Sequence, residues 1–161
     1  MNELLLFAGS VALSFLAWGV VCSQFVWPRL RGLSLAQASK PILLLHSFRF
    51  VGAAFVIPGV VSPSLQPGFA VPAAYGDLIA VVLAWVAYLA ASSPFQLPAL
   101  WAFSIWGTTD LLFAFFQGLV GVGIAPSALG AAYFIPTVYV PLLFVTHGML
   151  FRLLVAETAK V

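Results

Sequence analysis

Charge is what this sequence has least of. Of 161 residues only six are Lys or Arg and four are Asp or Glu, 6% in all. That is too little to solvate a soluble domain, and too little for the basic patch that nucleic-acid binding needs. Cysteine occurs once, at Cys22, which excludes an internal disulfide and any thiolate metal cluster. No glycine-rich phosphate loop is present, and neither Ser47 nor Cys22 sits in a nucleophile motif, so no enzymatic reaction class is indicated.

What is there is apolar: 63% of residues are hydrophobic and mean hydropathy is +1.14. The expected fold class is all-α, an integral membrane bundle forming a single transmembrane domain over residues 1–161 with lipid as its surroundings. A spanning helix needs about 20 mostly apolar residues. That length divides the chain into five spans, at about 4–26, 41–61, 75–92, 99–122 and 131–155.

The basic residues orient the spans. Arg29, Arg31 and Lys40 fall between the first and second spans, and Arg152 and Lys160 fall at the C-terminal end, whereas 62–74 carries no charge and neither does 123–130. Cytoplasmic flanks are the ones enriched in Lys and Arg, so the reading is N-terminus outside, C-terminus cytoplasmic. The first span is read as a retained helix, because its leader Met1-Asn2-Glu3 is acidic where a signal peptide is basic. The stretch 62–75 holds Pro63, Pro67 and Pro72 among apolar residues. It is expected to be non-helical, serving as an interfacial connector or as a lid over an outward-facing site.

Arg49 stands inside the second span. A charge at that depth costs about 2.5–3.5 kcal/mol on insertion scales and faces a partner or a cavity. It is eight residues from the start of its span and Asp110 is eleven from the start of the fourth. At about 1.5 Å per residue these are depths of roughly 12 and 16 Å, which predicts an Arg49–Asp110 ion pair. Gly107, Asp110, Ala114, Gln117 and Gly121 recur at helical spacing and mark a small, polar, inward face that adds Gln117 to the candidates for the ion-pair or proton-exchange site. Asp77 follows the proline-rich stretch, where it either caps the third helix or binds a cation, and it joins Arg49, Asp110 and Gln117 as a candidate for the ion-pair or proton-exchange site.

The two histidines, His46 and His147, are each five residues inside the cytoplasmic boundary of different spans. Matched depth makes them candidates for axial ligands of a haem b or for a transition-metal pair, with Arg49 as a further cofactor-binding residue; alternatively each hydrogen-bonds a carbonyl or a hydroxyl such as Thr146. Pro136 and Pro141 kink the fifth span and free backbone carbonyls.

The elements Arg49-x2-Gly52, Phe69-Ala70-x-Pro72 leading to Gly76-Asp77, Gly107-x2-Asp110-Leu111, Pro136-Thr137, Val140-Pro141 and His147 resemble an uncharacterised family of small bacterial membrane proteins. The chain departs from that pattern at Ala74 and Ser104, where glycine and asparagine are expected. The resemblance implies a multi-pass protein of the bacterial inner membrane and implies no activity. Three functions stay open on these residues: cofactor binding, proton-coupled transport with Asp110 exchanging a proton and Arg49 holding an anionic group, and a ligand-free structural or assembly subunit. As partners, a homo-oligomer or a larger membrane complex stays open as well.

Overall fold

The computed structural model describes residues 2–160, and helix supplies every regular element named below. The first, α1 (Glu3–Val21), is capped by Asn2, whose side chain accepts from the Leu4 amide. It runs through a π turn (Cys22–Val26) into α2 (Trp27–Leu30). Ser34 caps α3 (Leu35–His46), which passes directly into a 3-10 helix (Ser47–Val56). Then come α4 (Pro67–Leu89), α5 (Gln96–Phe116) with a π turn (Gln117–Gly121), a 3-10 helix (Pro126–Tyr133), a π turn (Ile135–Tyr139) and α6 (Val140–Thr158). Among the described residues four helical stretches are long and apolar enough to cross a membrane: Glu3–Leu30, Pro67–Leu89, Gln96–Gly121 and Ile135–Thr158.

The second expected span is therefore not one α-helix over 41–61. It begins at Leu35, with Pro41 inside α3 rather than at its start, and changes helix type at Ser47. Burial explains the change. Along α3 the buried residues are spaced by three and four, but from its last residue onward they are His46, Arg49, Gly52 and Phe55, spaced by three throughout. Three residues per turn is the 3-10 repeat, which stacks those four side chains on one face. An α-helix would fan them around half its circumference.

The stretch 62–75 is also corrected. Pro67 opens α4 at the position proline favours, and 67–75 are helical, so the connection is shorter than expected. It is pinned to the neighbouring 3-10 helix: Ser62 donates to the Ala128 carbonyl at 3.0 Å and Ala131 donates to the Val60 carbonyl at 2.9 Å. Gly130 permits that approach, since it has φ +53° and a Cβ there would lie 2.5 Å from the Val60 oxygen. Pro72 inside α4 lacks the amide that would bond the Gly68 carbonyl, and the Gln117 side chain donates to that oxygen instead, at 3.4 Å.

The two ends of the bundle differ chemically. One gathers the start of α1, the connection 57–66 and the 3-10 helix Pro126–Tyr133, with the Glu3 carboxylate accepting from the Ser127 amide at 3.0 Å. At the other, Arg152 lies 4.7 Å over the Trp27 ring and Lys40 lies 5.6 Å over Tyr88. The basic end is closed by a packed core that includes Leu43, Leu100, Phe103, Leu150 and Leu154. Toward the other end Phe7, Phe55, Phe69 and Leu129 form a second core. Polar residues occupy the level between them.

Candidate functional site

The 3-10 register delivers Arg49 to the centre of the bundle, where it is completely buried. Its guanidinium holds two carboxylates at once: Nε donates to Asp77 Oδ1 at 2.6 Å and Nη2 donates to Asp110 Oδ2 at 2.5 Å, while Nη1 donates to the Gly107 carbonyl at 3.2 Å. Arg49 thereby ties its own segment to α4 and α5. Asp77 does not cap a helix. Because α4 begins at Pro67, Asp77 lies well inside it, facing the arginine.

Three glycines make room for the cluster. A Cβ on Gly52 would sit 1.9 Å from Asp77 Oδ2, one on Gly76 would sit 1.7 Å from Asp110 Oδ1, and one on Gly107 would sit 2.5 Å from His147 Nε2 and 3.0 Å from Arg49 Nη1. The charged groups occupy the volume those side chains would fill. Trp106 braces the same contact by donating from its indole to the Gly76 carbonyl at 3.3 Å.

His46 and His147 stand on the basic-end side of Arg49, their ring centroids 4.3 Å apart and Phe103 against both. Thr146 donates its hydroxyl to the Leu142 carbonyl at 2.9 Å, so its oxygen accepts from His46 Nε2, also at 2.9 Å, and His46 carries its proton on Nε2. Among the described residues, the Nδ1 atom of His46, both ring nitrogens of His147 and the hydroxyls of Ser104 and Thr108 find no partner.

The haem reading of this pair does not fit. Axial imidazoles on opposite faces of a porphyrin bind at about 2 Å per nitrogen and have ring centres about 6 Å apart. These rings touch, leaving no slot between them. Nor do they assemble a metal site: among the described residues no three His, Cys, Asp or Glu side chains converge. Arg49 is likewise unavailable to an anionic ligand or a propionate, since it is wholly buried and engaged by Asp77, Asp110 and Gly107. Gln117 is spent on Gly68 and does not join the cluster.

On the opposite side of the cluster lies a cavity that sequence reasoning missed. Asp77 and Asp110 form its polar floor and Phe7, Phe55, Phe69 and Phe115 are among its walls; about 50 Å³ is open to the centre of a water molecule. One signal for it was present, in the three-residue spacing that places Phe55 on the same face as Arg49.

Membrane-length helices around a buried arginine shared by two aspartates, with a one-sided apolar cavity against the aspartates, define the class of this protein. A model of a domain of unknown function, DUF8737, matches residues 6–155, and the chain belongs to that family. No curated protein and no solved structure matches it.

Proposed function

We propose that this chain is a multi-pass protein of the bacterial inner membrane, with its N-terminus outside and its C-terminus cytoplasmic, that exchanges protons for a small solute at Asp77 and Asp110. The observation that carries the reading is the sharing of one guanidinium by two carboxylates that both line a cavity. Arg49 compensates one negative charge. Where water is scarce the second must be met by a proton or by another cation. The cavity lies toward the end without Lys or Arg and the tight apolar core lies toward the basic end. That asymmetry supports a site open outward and sealed inward.

Vesicles loaded with a pH-sensitive dye and bearing an imposed pH gradient test the reading. A panel of small cationic, neutral and anionic solutes should include one class that dissipates the gradient through the wild-type protein, with Asp110→Asn losing most of that flux. Equal flux through the variant, or none with any solute, would overturn it.

Orientation has its own test, helped by the burial of Cys22, the sole cysteine. Ser64→Cys, at the end without Lys or Arg, should react with an impermeant maleimide on intact cells. Ser92→Cys, at the end where Lys40 meets Tyr88, should react only after lysis. The reverse pattern would invert the topology.

A further inference from the structure

We infer that the solute is a small organic ammonium ion and that it occupies the cavity in place of a proton. This rests on the carrier reading above and names its substrate class. Three features of the cavity converge on it.

The first is charge. Asp77 and Asp110 face Arg49 from α4 and α5 and together leave one uncompensated negative charge at the floor. The other titratable groups near the cluster are Tyr139, whose hydroxyl donates to the Leu45 carbonyl, and the histidine pair; none of these three lines the cavity. The second is an open valence. Asp77 is only 8% exposed and gives Oδ1 to Arg49, while among the described residues Oδ2 receives no hydrogen bond. Asp110 likewise gives Oδ2 and keeps Oδ1 without a donor. Carboxylate oxygens largely screened from bulk water, on the buried Asp77 and the half-buried Asp110, need donors, and an ammonium group has three.

The third is the wall. Four phenylalanines bound the space, and aromatic rings attract a desolvated ammonium as well as an alkyl chain. An inorganic cation would leave that surface unused, whereas an alkylammonium matches floor and wall together. At about 50 Å³, a third of the 150 Å³ or so that holds benzene, the cavity takes the ammonium head and the first carbon, and a short chain lies along the phenylalanine wall toward the cavity mouth.

Exchange then follows from charge balance. Besides Arg49, the cluster carries one positive equivalent in either state. In the resting state a carboxyl O–H holds it as a proton; as the ammonium enters, that proton leaves to water through the cavity and the N–H groups of the ion take over the carboxylate oxygens. No covalent bond other than the O–H changes.

The probes are propylammonium, 1-propanol and propionate, titrated calorimetrically into the purified protein in nanodiscs at pH values from about 5 to about 8, in buffers of different ionisation enthalpy. Propylammonium should bind saturably and release up to about one proton per ion within that range, with propanol and propionate not binding. Asp110→Asn and Asp77→Asn should each weaken binding about tenfold or more while remaining folded by thermal melt. Phe55→Leu should weaken it less. Absence of propylammonium binding, no proton release at any pH, or equal binding of propanol would overturn the inference. Flux of another solute class through vesicles, without propylammonium binding, would defeat the inference and leave the carrier reading standing. Propylammonium binding with proton release but without flux would support the ligand and defeat the carrier.

Discussion

Arg49→Met should destabilise the protein more than any substitution of its partners, by about 3–5 kcal/mol, the cost of stranding buried charge. The reason is an asymmetry in the cluster. Removing the arginine leaves two carboxylates facing the same vacated space, with no cation within hydrogen-bond reach among the described residues. Removing either carboxylate as Asp77→Asn or Asp110→Asn leaves Arg49 paired one to one, with the amide oxygen still able to accept from the guanidinium. The asparagine variants should therefore melt close to wild type, or above it, in the same detergent. An Arg49→Met protein as stable as Asp110→Asn would show that the triad is not the charge cluster described here. Combining Arg49→Met with Asp77→Asn and Asp110→Asn should recover most of the lost stability, because replacing a whole buried ionic group is often neutral where breaking it is not. That triple variant separates two roles. A cluster that only fixes helix packing would leave it functional, whereas a cluster that exchanges protons leaves it folded and silent.

The sequence made some of this legible and hid the rest for physical reasons. Apolar run length exposed the long helices, since bilayer-length hydrophobic stretches have few alternative explanations. Helix rise put Arg49 and Asp110 within reach of each other, because depth along a helix is a one-dimensional count. What failed was proline and helix type. Pro67 and Pro72 read as breakers, but Pro67 sits at the first helical position, where no amide is needed, and the Gly68 carbonyl that Pro72 leaves free is met by Gln117 of a different element. A third span that starts at residue 75 puts Asp77 at a helix N-terminus, so a cap reading competes there with the ion-pair reading, whereas a start at Pro67 turns Asp77 inward to Arg49. The 3-10 segment was readable in principle from His46, Arg49, Gly52 and Phe55, whose repeated spacing of three holds one face of a 3-10 helix but drifts halfway round an α-helix. Depth also brought the histidines to one level, but depth carries no information on how closely two rings approach, and that distance is what decides against a haem.

Gly76→Ala should dismantle the site through a single methyl group. The added Cβ would fall 1.7 Å from Asp110 Oδ1 and 2.6 Å from its Cγ, so the whole carboxyl group must move, not merely its tip. Asp110 cannot swing aside freely because Arg49 holds its other oxygen at 2.5 Å. Losing that charge-assisted contact costs about 1.5–3 kcal/mol, against a gain of about 1 kcal/mol from alanine over glycine inside a helix. Gly52→Ala meets Asp77 in the same way, with Oδ2 at 1.9 Å and the Asp77 Cβ at 2.9 Å. Gly107→Ala should be milder, since the nearest atom is a His147 nitrogen that makes no bond. Gly19 and Gly148 have nothing within 4 Å of a new Cβ, so alanine there should be neutral or stabilising. Thermal melts of the five variants should rank in that order. The decisive comparison is a double-mutant cycle: Gly76→Ala combined with Asp110→Ala removes the collision, so the pair should cost less than the sum of the two single changes. Strict additivity would mean that Gly76 serves α4 for some reason other than the space it leaves for Asp110. A clear positive coupling would place the glycine, which carries no side chain, among the residues on which the carboxylate site depends.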